Sequence, residues 1–403
     1  MKEYLRVLYI AEEPTTGGAT EAMVELVQGL RERFHCDVTI LTVNDSEFNR
    51  RLSAMGIESR AAGHVPFLWA PPSSLLMRPI SLVRHCIKYW TVMPRVMRRL
   101  DSFIEAEDFD LVHSNLPRGD LGQRIARRYH IPHIVHLREL SFDHFRCVSL
   151  RPHPNRVLLN RTDKFIAISE SVREGWVRAG IPESFITTIY DAVQFDDGVR
   201  GLLSDRASDA GSRSTEKFKI VFLGGCSVTK GIWQVLKAVA EISRFHAVHL
   251  DVYGADSRAT QIEARAFVKL RGLQDVITFH RADREIRRRL HSYDAAIVAS
   301  RAEGFGRVVL EYQLSGIPVV AANTGALPEL ISHGKTGLLY DRREGPKALA
   351  AALGRLIDDP DECRRLASNA RRSAAQFQSV DTVKAVFDVY QEVLADRVAS
   401  RTS

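Results

Sequence analysis

The chain has 403 residues, a length that predicts two or three domains rather than one. Apolar residues make up 45% and charged residues 26%, values of ordinary globular proteins that exclude disordered, collagen-like and coiled-coil chains. Its 56 Lys and Arg residues against 49 Asp and Glu residues give a net charge of +7, an excess too small by itself to indicate a nucleic-acid-binding protein.

The five cysteines indicate neither a disulfide framework nor a zinc site, because they are odd in number, scattered and never spaced as CxxC. This pattern is typical of a reducing compartment. The N-terminal segment lacks the long apolar core of a signal peptide. The longest uncharged stretch, residues 61–77, contains three prolines, which disfavour a membrane-spanning helix. We therefore expect a cytoplasmic chain without a transmembrane segment.

The first half of the chain predicts alternating strands and helices. A buried strand over residues 5–11 is followed by a glycine turn and a helix with its apolar face at Met23, Leu26, Val27 and Leu30. Further strands are predicted within residues 36–43, 109–114, 131–137 and 163–169. Short Val- and Ile-rich runs separated by helical segments are typical of βαβ units and a parallel sheet.

The second half repeats this pattern after a polar stretch. Strands are predicted within residues 217–225, 248–254, 275–280, 294–300 and 317–323, and a helix within 230–244. We therefore expect an α/β protein of two doubly wound, Rossmann-like domains, residues 1–195 and 217–378, which face each other across a ligand-binding cleft. Residues 196–216 would form the linker, and residues 379–403 a closing amphipathic helix.

The strongest chemical pattern lies within residues 299–340, which read as strand, glycine-rich loop, helix, strand, turn and helix. Gly304 and Gly306 would let backbone amides approach a ligand, and the following helix N-terminus favours an anion such as phosphate. Glu303 precedes this loop's glycines and Glu311 lies eight residues later. The alternative is that both glutamates are surface carboxylates of an ordinary βα unit.

This stretch resembles the donor-binding region of retaining GT-B glycosyltransferases of the family 4 type. The resemblance is carried by Glu303-Gly304-Phe305-Gly306, the E-x7-E spacing to Glu311, residues 316–320, Gly325, Glu329 and residues 334–337. It implies that Glu303 lies against the donor sugar, and that the Phe305 and Gly306 backbone faces the sugar and diphosphate. It also implies that Glu311 binds ribose hydroxyls, since a carboxylate can accept two hydrogen bonds from a vicinal diol.

Residues 223–231 resemble the loop in which the family's Arg and Lys hold the donor diphosphate. Lys230 and Gly231 match, whereas Gly225 occupies the position of the Arg. The resemblance therefore implies that Lys230 clamps the phosphates. Backbone amides or another base such as Arg301 would supply the remaining neutralisation. The alternative is a solvated lysine.

Candidate residues of the first half follow the first strand and end two later strands. The resemblance implies that the backbone at Gly17 and Gly18 approaches a diphosphate or an acceptor, the alternative being a plain βα turn. His136 matches the family's histidine near the donor sugar and the reacting centre. His113 ends the adjacent strand, and we interpret it as a structural histidine.

Three other patterns indicate no further cofactor site. Residues 334–336 read GKT but lack the glycine that a P-loop needs five positions earlier. Asp108-Phe109-Asp110 precedes a predicted strand instead of following one, unlike a metal-binding DxD. No GxGxxG follows a strand, as a nicotinamide-binding domain would require. We expect neither a metal nor a cofactor.

Residues 51–100 contain eight basic residues and one acidic residue, so that this block alone carries +7. Within it, residues 75–100 interleave these charges with Leu, Trp and Tyr, a pattern typical of segments at the membrane interface. One hypothesis is peripheral attachment to the anionic inner face of a membrane. The alternative is a basic helical face or an acceptor-phosphate site of a soluble domain.

The resemblance implies a retaining glycosyltransferase that moves a hexose-type sugar from a nucleotide-diphosphate sugar to an acceptor hydroxyl. The acceptor would be a saccharide, a lipid-linked or a small molecule, in polysaccharide or glycolipid assembly, and no nucleic acid is expected. It also implies that the closing helix returns to the first domain. Two alternatives remain: a nucleotide-sugar epimerase or hydrolase of the same architecture, and a noncatalytic protein that binds sugar nucleotides.

Overall fold

The computed structural model describes residues 4–12, 17–72, 76–141, 147–160, 162–191, 217–254, 258–283, 285–378 and 380–402. The chain divides into two compact units. The first unit consists of Met1–Asp191 together with Asp381–Ser403, and the second of Ala192–Val380. The predicted linker 196–216 lies outside the described residues.

The first unit alternates strands with helices along the chain. Its described elements are β1 (Arg6–Ile10), α1 (Gly18–Phe34), β2 (Asp37–Thr42), α2 (Glu47–Ala54), β3 (Glu58–Ala61), β4 (Leu68–Trp69), α3 (Arg78–Glu107), β5 (Leu111–Ser114), α4 (Leu121–Tyr129), β6 (His133–Leu137), β7 (Val148–Ser149), α5 (Pro154–Leu159), β8 (Lys164–Ala167), α6 (Glu170–Arg178), β9 (Ile186–Thr188) and, after the second unit, α14 (Thr382–Thr402). Within this described part, seven strands form a parallel sheet in the order β3-β2-β1-β5-β6-β8-β9, and β4 pairs antiparallel with β7.

Helices cover both faces of this sheet, as the continuous apolar run of β1 requires. Successive strand residues point to opposite faces. Val7 and Tyr9 accordingly belong to a core that includes residues of α1 and α14, whereas Leu8 and Ile10 belong to a second core with α3 and α4. Burial on both faces is the usual state of strands in parallel sheets.

The terminal helix α14 packs against α1 within the first unit. The rings of Phe34 and Phe387 stack with their centroids 4.2 Å apart, and Arg33 forms an ion pair with Asp381 over 2.5 Å. This arginine holds the pKa of the Asp381 carboxyl at about 2. Residues of α14 are therefore part of the core that packs against one face of β1.

The second unit has the same kind of architecture. Its described elements are β10 (Phe218–Phe222), α7 (Ile232–Ile242), β11 (Val248–Tyr253), α8 (Arg258–Leu270), β12 (Ile277–His280), α9 (Ile286–Arg289), β13 (Ala295–Val298), α10 (Arg307–Leu314), β14 (Val319–Ala322), α11 (Leu327–Leu330), β15 (Leu338–Tyr340), α12 (Pro346–Asp358) and α13 (Pro360–Gln378). The described strands form a six-stranded parallel sheet in the order β12-β11-β10-β13-β14-β15.

The strand order of the second unit reverses between β10 and β13. In doubly wound sheets a ligand binds outside the carboxyl ends of the two strands at which the order reverses. The loops that follow these strands are residues 223–231 and 299–306, the two segments that the sequence singles out. The topology therefore brings both candidate loops to one end of one sheet.

The predicted fold class, two doubly wound parallel-sheet α/β units, is confirmed. Five short strands, β3, β4, β7, β9 and β15, are not predicted by the sequence, because each has only two to four residues and β3 is a polar edge strand. Among the described helices, none is both long enough and apolar enough to cross a membrane.

The contact between α1 and α14 yields a stability prediction. A Cβ added to Gly29 would lie 2.5 Å from Cγ2 of Val383, and a β-branched valine cannot easily move aside. We expect Gly29→Ala to lower the free energy of unfolding by about 1–3 kcal/mol through overpacking. Thermal or denaturant unfolding of the whole chain measures this change.

Two further variants control this measurement. Adding Val383→Ala to Gly29→Ala makes room for the methyl group and should recover part of the loss. Gly354→Ala, in helix α12, places its Cβ 3.9 Å from the nearest atom outside the local backbone. This variant should be neutral or stabilising by about 0.5–1 kcal/mol, because alanine is the better helix former. Equal destabilisation by all three variants would contradict the prediction.

Candidate functional site

Glu303 lies in the loop between β13 and α10, where two side chains bind its carboxylate. Its Oε2 accepts hydrogen bonds from Lys230 Nζ at 2.9 Å and from Ser300 Oγ at 2.8 Å. The Glu303 side chain is 14% exposed and that of Lys230 is 46% exposed. The Glu303 carboxylate is therefore fixed in position. The Lys230 side chain is about half exposed, so its ammonium group can turn toward a ligand.

The backbone of three segments holds the Glu303 loop in place. Ala326 N donates to the Glu303 carbonyl at 2.9 Å, and Arg301 N donates to the Thr229 carbonyl at 2.9 Å. A Cβ on Gly325 would lie 2.2 Å from the Glu303 carbonyl oxygen, and φ at Gly325 is 54°. No side chain fits at Gly325, so glycine is required there by both space and backbone conformation.

Glu311 lies in the second turn of α10 and is almost completely buried. Its Oε1 is 2.7 Å from Nη2 of Arg287, whose side chain is 49% exposed. The next residue, Tyr312, is fully buried, and its hydroxyl accepts a hydrogen bond from Leu223 N at 2.9 Å. Burial raises the pKa of the Tyr312 hydroxyl, so that it stays neutral. This bond ties α10 to the end of β10, and hence to the Lys230 loop.

The glycine-rich turn before α10 presents backbone, and not side chains, at the start of the helix. Gly306 is the residue before the first helical turn, and a glycine at this position supplies no side-chain cap of its own. The first N–H groups of a helix lack partners within the helix and attract anions. The Phe305 ring is buried and makes an edge contact with Phe377. Phe305 can therefore offer a ligand its backbone rather than its ring.

Gly225 occupies a tight corner at the start of the Lys230 loop. Its φ is 57°, and its N–H donates to the Tyr253 carbonyl at 2.9 Å. A Cβ on the neighbouring Gly254 would lie 2.7 Å from the Gly225 Cα. Burial is the main cause that lowers the pKa of Arg342, and the positive charge of the nearby Arg301 also lowers it.

Two partners of these glutamates were not predicted from the sequence. Arg287 belongs to the run Arg287-Arg288-Arg289 on the short helix α9, and the sequence does not indicate which of the three reaches Glu311. Ser300 ends a predicted strand, and nothing in the sequence marks this small residue as a partner of Glu303. The run of three arginines, which ends five positions before the strand predicted from residue 294, indicates a positive charge near this strand but not its partner.

Among the candidate residues of the first unit, Gly17 and Gly18 lie at the start of α1, whereas His113 lies in β5 and His136 in β6. Gly17 is extended, with φ at −135°, and a Cβ on the following Gly18 would meet no atom of the described residues within 4 Å. His136 is fully buried, and its Nδ1 is 3.3 Å from Nε2 of His113. Burial, the charge of Arg138 and the neighbouring His113 lower the pKa of His136 well below its usual range. The imidazole of His136 is therefore neutral.

Within the described ranges, no group of three or more His, Cys, Asp or Glu side chains is arranged so that it could hold a metal ion.

Comparison with known proteins assigns a family to each half of the chain. The family model described as "Glycosyl transferases group 1" matches residues 204–373, and that described as "Glycosyl transferase 4-like domain" matches residues 17–191. The two matches follow each other along the chain, and each lies essentially within one structural unit.

Individual relatives agree with these family models. The chain is 28% identical over 324 residues to a D-inositol 3-phosphate glycosyltransferase of Acidothermus cellulolyticus, covering 75% of this chain and 72% of that protein. It is 33% identical over 179 residues to an MMP alpha-(1->4)-mannosyltransferase of Mycolicibacterium hassiacum, covering 42% of each chain.

A solved structure shares the fold over nearly the whole length. The structure of Anabaena Alr3699/HepE in complex with UDP and glucose superposes with a TM-score of 0.72 at 21% sequence identity, covering 98% of this chain and 100% of that chain. The two family matches and the relatives show that the chain is an enzyme of the group 1 glycosyltransferases. The likeness to this structure, together with the two parallel-sheet units, shows that it has the GT-B fold.

Proposed function

We propose that the enzyme transfers a hexose from a nucleotide-diphosphate sugar to an acceptor hydroxyl with retention of anomeric configuration, in polysaccharide or glycolipid assembly. The observation that carries this proposal is the fixed Glu303 carboxylate beside Lys230 and the α10 N-terminus. It places a hydrogen-bond acceptor for sugar hydroxyls next to two groups that attract phosphate. The named activities of the relatives, and the UDP and glucose bound to Anabaena Alr3699/HepE, support the same class of donor.

Glu311 is the proposed ribose-binding residue. Its carboxylate is buried next to an exposed arginine and fixed on a helix. A rigid carboxylate can accept hydrogen bonds from both hydroxyls of a vicinal diol, and its bonds are strong because the acceptor is charged. Arg287 compensates the negative charge when the site is empty.

Lys230, the Gly225 loop and the amides of residues 304–307 are the proposed diphosphate site. Lys230 would leave Glu303 and pair with the phosphates, which its exposure allows. These groups would stabilise the charge that develops as the bond between the sugar C1 and the phosphate oxygen breaks. The acceptor oxygen would bond to C1 on the same face, and its proton would pass to the departing phosphate oxygen.

The first unit contributes three further proposed contacts. We keep the assignment of His136 to a hydroxyl of the donor sugar, because its imidazole is neutral and fixed. The backbone at Gly17 and Gly18 is the proposed approach for diphosphate or acceptor, since Gly17 directly precedes the first turn of helix α1 and a helix N-terminus favours an anion.

Two substitutions separate the proposed roles of the glutamates. Glu303→Gln should lower kcat about 100-fold with a small effect on nucleotide affinity, since it removes charge next to the reacting sugar. Glu311→Gln should weaken nucleoside diphosphate binding about tenfold, the cost of one charge-assisted hydrogen bond. Nucleoside diphosphate release across UDP-, GDP- and ADP-sugars, together with calorimetric binding, measures both effects.

Glu344→Gln, an exposed carboxylate of the same unit, is the matched control and should behave as the unaltered enzyme. Unchanged turnover in Glu303→Gln and unchanged affinity in Glu311→Gln would contradict the site assignment. Product formed from the donor alone, without an acceptor, would instead indicate an epimerase or hydrolase.

Helix α3 carries an exposed apolar stripe beside a basic one, and we propose that it binds an anionic membrane surface. Ile80, Val83, Ile87 and Trp90 are each more than half exposed and recur at helical spacing on one side. Arg84, Lys88, Arg95 and Arg98 are exposed on the adjoining side. Apolar groups that enter the headgroup region, next to cations that pair with lipid phosphates, are typical of interfacial helices.

Cosedimentation with vesicles that contain phosphatidylglycerol tests this surface. We expect binding at low salt that falls as salt increases, and a severalfold loss in Ile87→Ser and in the pair Arg84→Gln with Lys88→Gln, since each basic residue contributes about 1 kcal/mol. Leu270→Ser removes an apolar side chain that is 86% exposed in the second unit and should change nothing. Absence of binding at low salt would exclude the membrane proposal.

A further inference from the structure

Four rings in the first unit form a buried hydrogen-bonded chain, here called the relay: Tyr9, Tyr390, His113 and His136. The Tyr390 hydroxyl donates to the Tyr9 hydroxyl at 3.3 Å, and it lies 2.6 Å from Nδ1 of His113. Nε2 of His113 lies 3.3 Å from Nδ1 of His136. The Tyr9 and His113 rings also stack, with their centroids 4.3 Å apart.

The direction of the Tyr390–Tyr9 bond sets the direction of every other bond in the relay. A tyrosine hydroxyl has one hydrogen, and that of Tyr390 points to Tyr9. The hydrogen between Tyr390 and His113 must then come from Nδ1 of His113. A neutral imidazole carries one N–H, so Nε2 of His113 accepts, and Nδ1 of His136 donates to it. The Nε2 atom of His136 is left with a lone pair and no hydrogen.

Both imidazoles are held in the neutral form that this argument requires. Burial is the largest cause that lowers the pKa of each, and the positive charge of Arg138 is the second. Arg138 is itself fixed, because it donates to Asn115 Oδ1 at 3.0 Å and to Asp191 Oδ2 at 2.8 Å. A second proton on either ring would be placed near this buried cation.

The free end of the relay is a buried acceptor. Among the residues that the structure describes, Nε2 of His136 has no hydrogen-bond partner, and burying a polar atom without a partner is unfavourable. Such an atom is expected where a ligand completes the bond. The group that suits a bare imidazole nitrogen is a hydroxyl, which has a hydrogen to donate, and not a phosphate oxygen.

We propose that Tyr390 is a positioning residue which, through His113, holds His136 in the tautomer whose Nε2 accepts a hydrogen bond from a saccharide hydroxyl. This inference rests on the proposed function and deepens it, because it names the residue that sets the tautomer of the imidazole proposed to bind the sugar hydroxyl. It also gives helix α14 a role in the site. The Tyr390 hydroxyl, which contacts His113, belongs to this helix and lies 277 positions later in the chain.

Nitrogen-15 NMR of the full chain with labelled histidine tests the tautomer without any ligand. Protonated and bare imidazole nitrogens give well-separated signals, and the His136 signals are those lost in His136→Gln. We expect a bare Nε2 and a protonated Nδ1 at His136. In Tyr390→Phe, Nδ1 of His113 loses its acceptor, so both rings should reverse and Nε2 of His136 should become protonated. Tyr9→Phe should act in the same direction, because it frees the Tyr390 hydrogen to turn toward His113.

Kinetics test whether the tautomer matters for the reaction. Tyr390→Phe should lower kcat/KM about tenfold, the value of one hydrogen bond. In the His136→Gln background, whose amide oxygen accepts without a relay, Tyr390→Phe should have little further effect. Among monodeoxy donors or acceptors, one should abolish the difference between Tyr390→Phe and the unaltered enzyme.

Val393→Ala, at a buried position of the same helix, controls for loss of packing. It should lower thermal stability but leave the His136 signals unchanged. A protonated Nε2 in the unaltered chain, or a Tyr390→Phe variant with unchanged tautomer and unchanged kcat/KM, would overturn the inference. If the unaltered chain transfers no sugar, the proposed function fails, while the NMR result still decides the tautomer.

Discussion

The close approach of backbone to backbone around Glu303 is the constraint on which the second unit's site depends. At Gly325 a side chain would collide with the Glu303 carbonyl, and at Gly231 a Cβ would lie 2.1 Å from the Ala299 carbonyl oxygen. These contacts lock the loops after β10, β13 and β14 against one another. The strand order brings the first two loops together. Glycine at positions 231 and 325 then lets the backbones approach more closely than any side chain would allow.

Charge is arranged around this rigid frame so that each negative group has a movable positive partner. Glu303 and Glu311 are mostly buried, whereas Lys230 and Arg287 are about half exposed. Ion pairs of this kind contribute little to stability when one partner is solvated. They let the cations exchange a carboxylate for a ligand's phosphate at low cost, while the carboxylates keep the positions needed to accept hydroxyl hydrogens.

The first unit uses buried neutral groups instead. Four of its side chains are completely buried: Tyr9, His113, His136 and Tyr390. Hydrogen bonds, and not ion pairs, hold these four side chains in position relative to one another. In such an environment the hydrogen bonds themselves decide which atoms carry hydrogens. The interpretation of His113 as a structural histidine agrees with its two ring bonds, although those bonds also connect it to His136.

Much of this organisation could be predicted from local pattern. Alternating apolar runs and helical faces predict both sheets, and the spacing of Glu303, Glu311 and the glycines predicts one loop-helix site. The pairings could not be predicted, because they join residues far apart in the chain. Lys230 reaches Glu303 across 73 positions and Tyr390 reaches His113 across 277, and Arg287 cannot be told from its neighbours. Long-range contacts depend on the fold as a whole, and no single-sequence periodicity reports them.

The most direct measurement of the central claim is a crystal structure of the enzyme with a nucleoside diphosphate that it binds. We expect ribose hydroxyls on Glu311, the diphosphate at the α10 N-terminus, and Lys230 Nζ moved from Glu303 to a phosphate oxygen. A nucleotide bound elsewhere, with the Lys230–Glu303 and Arg287–Glu311 pairs intact, would contradict it.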